Sequence, residues 1–290
     1  MSEFSIVSDS ACDLTPEILK EFDIRIVPLN ARIGDKEYVD YPDERGIAPD
    51  ELCEKLRSGL PAQTSAPSLE LFTETFEDIL KDGRDILYIG FASTLSATYS
   101  TGSAAAGFLA DKYPERRIIT IDSYSASLGF GLLVYLTAIR KRGGAGLEET
   151  AKYAEDMKFR VNHWFTVADL KYLRRGGRLS YARATIGIAL HIKPILHMDD
   201  DGHLTPVSKV RGRAQSLKII SEKVAAMAVR PEEQTVFICQ CGCAEEAAEV
   251  AEHIKETAGV KEVIIGPIGP VISSHTGPGT MGIFFVGDHR

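Results

Sequence analysis

The chain has 290 residues, of which 44% are hydrophobic and 26% charged, as in a globular protein rather than a disordered or fibrous one. Its formal net charge of −8 disfavours nucleic acid and anionic membrane surfaces as partners, because both are negatively charged. Five cysteines, an odd number, favour reduced thiols and a cytoplasmic location. The first cationic side chain is Lys20, which argues against a signal peptide, and the uncharged segment 123–139 is shorter than the roughly 20 residues of a membrane span.

Strand and helix signals alternate through the first half of the chain. Strands are predicted at residues 4–7, 24–29, 86–89 and 118–121, with a small hairpin at 31–39. Helices are predicted from Pro16 onward, at 49–59, 69–80, 96–112 and 125–142, and residues 61–67 are predicted to form a loop. This alternation favours a mostly parallel sheet with helices on both faces.

The pattern changes after Gly143 and Gly144. Helices are predicted at 147–160, 181–192, 214–228 and 245–257, and strands at 164–167, 194–197, 204–210, 236–239, 263–265 and 283–286. Residues 170–178 are predicted to form a basic turn. We therefore predict two α/β domains: a three-layer α/β/α domain with a mostly parallel sheet at residues 1–160, and a second α/β domain at residues 161–290.

Hydroxyl side chains gather at predicted strand ends, where open α/β sheets bind ligands. Three loops at or near such ends carry them, Ser8-Asp9-Ser10, Ala92-Ser93-Thr94-Leu95-Ser96 and Asp122-Ser123, and Thr64-Ser65-Ala66-Pro67 is a fourth hydroxyl-rich turn. Hydroxyls and helix N-termini donate hydrogen bonds to anions, and a histidine beside two glycines, His275 in the segment 275–280, could join them. These would be donors without a permanent charge. Taken singly, each hydroxyl is better explained as a helix cap, and His275 as part of a plain surface turn.

The apolar helices, the basic clusters and the cysteines each have an ordinary structural explanation beside a functional one. The apolar helices at 125–139 and 184–192 form either ordinary core or the walls of an apolar tunnel. Two basic clusters belong either to a solvated surface or to a patch for phosphate or an acidic protein: Lys171, Arg174, Arg175 and Arg178, and Lys209, Arg211 and Arg213. The alternating cysteines 239, 241 and 243 favour core packing over a metal site, because zinc sites need four ligands at wider spacing. Phosphate-loop, dinucleotide-binding and hydrolase-elbow motifs are absent from the sequence.

Taken together, these segments resemble the DegV family of bacterial fatty-acid-binding proteins over essentially the whole chain. The resemblance is carried by Asp9-Ser10-Ala11-Cys12-Asp13-Leu14, Thr64-Ser65-Ala66-Pro67, Leu95-Ser96-Ala97-Thr98-Tyr99, Gly176-Gly177-Arg178-Leu179 and His275-Thr276-Gly277-Pro278-Gly279. It implies one long-chain fatty acid buried in a tunnel between the domains, with the 275–280 loop returning to the cleft. The implied binding residues are Thr64, Ser65, Ser96, His275 and Gly277, with the carboxylate held by hydroxyls.

The resemblance also implies a carrier without catalysis, cofactor or metal, which presents its fatty acid to a separate fatty-acid kinase that makes an acyl phosphate. Arg174 and Arg211 are the candidates to contact the kinase or the phosphate. Two positions depart from the family pattern: Ala66 stands where Gln is usual, and Ala97 where Gly is usual. Two alternatives stay open, a hydrolase that uses the same Ser/His cleft and a protein that binds a sugar or nucleotide in a polar pocket.

Overall fold

The computed structural model describes residues 3–43, 45–179 and 191–290, and three β-sheets organise this part of the chain. Its strands are β1 (Phe4–Asp9), β2 (Ile24–Val27), β3 (Asn30–Ile33), β4 (Lys36–Val39), β5 (Ala62–Ser65), β6 (Asp85–Gly90), β7 (Ile118–Asp122), β8 (Val161–Thr166), β9 (Ile192–Met198), β10 (Leu204–Arg211), β11 (Thr235–Gln240), β12 (Glu262–Pro267) and β13 (Met281–Val286). Its α-helices are α1 (Pro16–Glu21), α2 (Pro49–Arg57), α3 (Leu69–Lys81), α4 (Thr98–Lys112), α5 (Ser127–Arg142), α6 (Leu147–Met157), α7 (Lys171–Arg175), α8 (Arg213–Met227), α9 (Ala244–Ala258) and α10 (Pro270–Thr276). None of these helices is long and apolar enough to cross a membrane.

The first sheet has four strands in the order β2-β1-β6-β7, and every pair is parallel. Side chains alternate between its faces because successive residues of a strand point in opposite directions. Ile86 and Tyr88 of β6 pack with helices α3 and α4, whereas Leu87 and Ile89 join the large core on the other face. Burial on both faces explains the continuous apolar run of β6 and confirms the three-layer α/β/α arrangement with a parallel sheet.

The second sheet has six strands in the order β10-β9-β8-β13-β11-β12. Only β11 and β12 are parallel in it, and the other pairs are antiparallel. Helices α8 and α9 cover one face, and α5 contacts β8, β11 and β13 on the other. Because α5 also packs within the core of the first sheet, its apolar residues are buried nearly all round, as its sequence predicts.

The third sheet has three antiparallel strands in the order β4-β3-β5. Its hairpin of β3 and β4 is confirmed, but the loop predicted at residues 61–67 is wrong, because β5 occupies Ala62–Ser65. This strand has the sequence Ala-Gln-Thr-Ser, so backbone pairing of Thr64 with Ala31 defines it rather than an apolar pattern.

Two short helices are absent from the predictions. Helix α7 lies in the segment predicted as a turn, and α10 precedes the loop at Gly277. The helix predicted at 181–192 lies outside the described residues up to position 190, and its last residue, Ile192, begins β9. The domain boundary near residue 160 stays a prediction.

Candidate functional site

A cavity of about 230 Å³ lies among helix α10, strand β5, the loop after β6 and the inner face of the six-stranded sheet. Most of its wall is apolar. The apolar lining consists of Leu29, Ala66, Phe91, Leu95, Ala97, Ala126, Phe165, Leu173, Met198, Leu204, Ile268, Val271, Ile272 and Phe284. A wall of this kind favours a hydrophobic ligand, whose polar groups must then be met by the few polar side chains that share the lining.

Thr64 and His275 form the central polar contact of this lining. Thr64 lies in β5 and His275 in the last turn of α10, and the Thr64 hydroxyl oxygen is 2.8 Å from Nε2 of His275. Burial, followed by the positive charges of Arg178 and Arg175, lowers the pKa of His275 to about 4. The imidazole is therefore neutral near pH 7.

The surroundings of His275 also favour one tautomer. Its Nδ1 is buried and has no hydrogen-bond partner among the described residues. A proton on Nδ1 would be a buried donor without an acceptor, whereas a proton on Nε2 is accepted by Thr64. We therefore place the proton on Nε2, which leaves the Thr64 hydroxyl free to donate to a further acceptor.

Arg178 adds a permanent positive charge to the cavity lining, which the prediction of uncharged donors did not include. Helix α7 ends at Arg175, Gly177 follows with φ +68°, and the backbone N–H of Arg178 returns to the carbonyl of Leu173 at 3.2 Å. This turn brings the guanidinium to the cavity, where Nε donates to the Leu95 carbonyl at 3.1 Å and Nη1 to the Gly176 carbonyl at 2.6 Å. In the sequence, Arg178 follows two glycines in a basic segment, a pattern that is equally compatible with a surface turn.

Ser96 lines the cavity just before helix α4. Its Oγ lies 2.8 Å from Oγ1 of Thr98 and accepts the Thr98 backbone N–H at 3.3 Å. Helix α4 has 15 residues, and its N-cap residue Ala97, which also lines the cavity, makes no side-chain capping bond. The N-terminal end of a helix this long favours negative charge, so this side of the cavity suits an anion.

The structure thus brings Thr64, Ser65, Ser96 and His275 to one cavity, with Ser65 exposed. Gly277 is not in the lining. It has φ +79°, and a Cβ atom there would lie 2.3 Å from the Tyr172 ring, so this glycine permits close packing of the loop after α10. The two positions that depart from the family pattern, Ala66 and Ala97, both line the cavity.

Arg174 and Arg211 lie outside the lining and are exposed. Neither side chain forms a hydrogen bond or ion pair with the described part of the chain.

The predicted tunnel walls are also different from those observed. Helix α5 contributes Ser127, whereas Leu128 and Phe130 are fully buried in the core, and the second predicted wall, 184–192, lies outside the described residues except for its end.

Two of the hydroxyl-rich strand ends serve structure rather than the cavity. Ser8 donates to the Ile89 carbonyl, and Asp9 accepts the backbone N–H groups of Ala11 and Phe91. Asp122 accepts the N–H groups of Ser93 and Tyr124. These contacts hold the loops together, but none of them is a helix cap made by a serine or threonine hydroxyl.

In the described part of the chain, three side chains at a turn could hold a metal ion: Asp199, Asp201 and His203. Their carboxylate oxygens and imidazole nitrogen lie within 4.8 Å of one another. Cysteines 239, 241 and 243 are not part of this group, and Cys239 lines the cavity as a buried thiol.

The fold and the cavity define a class of protein, a mixed α/β protein with a largely apolar ligand cavity whose polar and cationic groups include Thr64, Ser96, Arg178 and His275. The family follows from direct comparison: a family model described as "Uncharacterised protein, DegV family" matches residues 3–288, and the chain belongs to the DegV family. A DegV domain-containing protein of Clostridium perfringens is 41% identical over 290 residues, covering 100% of this chain and 99% of that one.

Two solved structures are similar over nearly their whole length. A Thermus thermophilus structure titled "Fatty Acid Binding of a DegV family Protein" has a TM-score of 0.88 and 28% identity, covering 99% of this chain and 100% of that one. A DegV-family protein of Ruminococcus gnavus, refined with vaccenic acid, also has a TM-score of 0.88, with 26% identity, and covers 97% of this chain and 99% of that one.

Proposed function

We propose that the protein binds one long-chain fatty acid, with its hydrocarbon chain in the cavity and its carboxylate at the hydroxyls of Thr64 and Ser96. One observation carries this proposal: Thr64 contacts a neutral His275 in the cavity wall, and the cationic Arg178 lines the same cavity. The rest of the wall is largely apolar. The similar protein of Thermus thermophilus is described as binding a fatty acid, which supports the same ligand class here.

The energetics suit such a ligand. Each methylene group removed from water contributes about 0.8 kcal/mol, so a long acyl chain binds strongly through its area alone. A carboxylate in the same cavity must be hydrogen-bonded, because an unpaired buried charge is prohibitive. Thr64 and Ser96 provide donors, Arg178 provides the opposite charge, and helix α4 contributes its N-terminal dipole.

We further infer that the protein is a carrier that presents the bound acid to a separate fatty-acid kinase. The family resemblance supports this role, as do the exposed guanidinium groups of Arg174 and Arg211. An exposed arginine suits an acidic partner or a newly formed phosphate, because its planar guanidinium binds either group through two parallel hydrogen bonds.

The alternative of a hydrolase has one feature in its favour, the contact of a hydroxyl with an imidazole at Thr64 and His275. A base with a pKa of about 4 is a weak proton acceptor near pH 7, and the buried Nδ1 of His275 has no carboxylate to orient it among the described residues. These two properties favour binding over acyl transfer.

The decisive experiment is denaturing extraction of the purified protein followed by mass spectrometry of the extract. We expect one equivalent of a long-chain fatty acid. A protein that contains no fatty acid and takes up none from a titrated fluorescent fatty acid would refute the proposal.

The carrier role needs its own test. The variants Arg174→Glu and Arg211→Glu should keep the fatty acid but lower the rate at which the fatty-acid kinase of the same organism makes acyl phosphate. Unchanged acyl-phosphate formation in both variants would remove these residues from the kinase contact.

A further inference from the structure

Two cysteines from distant parts of the chain meet in the interior. Cys53 lies in helix α2 and Cys241 directly after strand β11, and 188 positions separate them in the sequence. Their sulfur atoms are 3.2 Å apart, and each residue is only 2% exposed. Two thiols held this close need little movement to bond, since a disulfide has a sulfur–sulfur distance of about 2.05 Å.

Gly242 makes room for this pair. Its φ is +64°, and a Cβ atom there would lie 3.0 Å from Sγ of Cys53 and 2.8 Å from Nη2 of Arg57. Arg57 instead donates to the Gly242 carbonyl at 3.1 Å, which places its guanidinium beside the thiols. Any larger residue at position 242 would displace the sulfur, the guanidinium or both.

The two thiols have different acidities. The pKa of Cys53 is below its ordinary value. The hydrogen bond from Cys241 lowers it most, burial raises it, and the positive charge of Arg57 lowers it further. Donation of that hydrogen bond to Cys53, together with burial, raises the pKa of Cys241. Cys53 is therefore the more acidic thiol of the pair, and the thiolate is the form of a cysteine that peroxide oxidises.

We propose that Cys53 and Cys241 are a redox-active dithiol that closes to a disulfide when the protein meets hydrogen peroxide. The Cys53 thiolate attacks one peroxide oxygen, the O–O bond breaks, and the departing hydroxide takes a proton to become water. The sulfur of Cys241 then attacks the resulting sulfenic acid at Cys53, and the hydroxyl group leaves with the Cys241 proton as a second water. Two thiols and one peroxide give one disulfide and two waters.

The new bond would join two parts of the cavity surroundings. The backbone N–H of Cys241 donates to the Thr280 carbonyl at 3.0 Å, and its carbonyl accepts from Gly279 at 2.7 Å. Thr280 lines the cavity, so the disulfide would tie helix α2 to the segment that forms this part of the wall. The dithiol chemistry itself is independent of the ligand that the cavity binds.

The test is thiol counting and peptide mapping of the full-length protein after one equivalent of hydrogen peroxide. The reduced chain has five free cysteines, so we expect two thiols to be lost and a linked peptide pair containing Cys53 and Cys241. The variant Cys243→Ser should form the same link, whereas Cys53→Ser and Cys241→Ser should not. Retention of all five thiols in the wild type, or a dominant link between other cysteines, would overturn the proposal.

Discussion

Nε2 of His275 lies 2.8 Å from the hydroxyl oxygen of Thr64, although 211 positions separate the two residues in the sequence. The contact joins strand β5 of the small sheet to the last turn of helix α10. Because His275 donates through Nε2, it fixes the Thr64 oxygen while leaving the hydroxyl proton for a ligand.

Replacement of Thr64 by valine should weaken fatty-acid binding about 10- to 100-fold. Valine keeps the shape of the side chain but removes the hydroxyl, and a hydrogen bond to a charged group contributes about 1.5–3 kcal/mol. Titration with a fluorescent fatty acid measures the change. The control is Thr257→Val on the exposed surface of helix α9, which should bind as the wild type does. Equal affinity of all three proteins would exclude Thr64 from the head-group contact.

Ser96→Ala should weaken binding about tenfold and leave the fold intact, because one donor to the carboxylate is lost. The matched control is Ser68→Ala. The Ser68 hydroxyl accepts the Leu71 backbone N–H at 3.1 Å and caps helix α3, away from the cavity lining. Its removal should lower the free energy of unfolding by about 1 kcal/mol without a change in affinity. A Ser96→Ala protein with wild-type affinity but lower stability would show that this hydroxyl is only a cap.

Much of this architecture is predictable from the sequence, because long apolar segments dominate local structure. Strand β6 and helix α5 are examples, since each is buried on nearly every side. The shared cavity of Thr64, Ser96 and His275 agrees with the family resemblance, whereas none of the individual motifs required it.

The parts that the sequence did not predict depend on contacts between distant segments. Strand β5 exists because its backbone pairs with β3, and its four residues carry little strand signal of their own. Arg178 reaches the cavity because Gly177 reverses the chain after helix α7. A glycine in a basic segment is compatible with a simple surface turn, so the direction of the arginine side chain became apparent only in the folded chain.

Gly176→Ala should reduce fatty-acid binding by displacing His275. A Cβ atom at position 176 would lie 2.2 Å from Nδ1 of the imidazole, so the ring has to shift from the position in which Nε2 contacts Thr64. Overpacking of this kind costs about 1–3 kcal/mol. Affinity for a fluorescent fatty acid and the midpoint of denaturant unfolding together measure the effect.

The neighbouring Gly177→Ala is the control for this substitution. No atom lies within 4 Å of its Cβ position, but its φ of +68° is unfavourable for alanine. This variant should therefore lose about 1 kcal/mol of stability and keep more of its affinity than Gly176→Ala. The same loss of affinity in both variants would point to the turn itself rather than to the imidazole.

Asp40 is only 3% exposed, and its Oδ2 has no hydrogen-bond partner among the described residues. Burial, followed by the nearby charge of Asp13, raises the pKa of Asp40 well above its ordinary value. Burial likewise raises the pKa values of Asp9 and Asp13 to about 7. The folded protein therefore holds protons that the unfolded chain has already lost above about pH 4.

A folded state that binds more protons than the unfolded state becomes less stable as the pH rises, by up to about 1.4 kcal/mol per pH unit for each proton. The Asp40→Asn variant lacks this titrating group. The free energy of unfolding of the variant minus that of the wild type should therefore increase from pH 5 to pH 8. Denaturant unfolding at both pH values measures the difference. Asp111→Asn, at an exposed position of helix α4, should show no such trend. A gain for Asp40→Asn that is constant, or larger at pH 5, would mean that Asp40 is ionised in the folded protein and that its charge is compensated within the core.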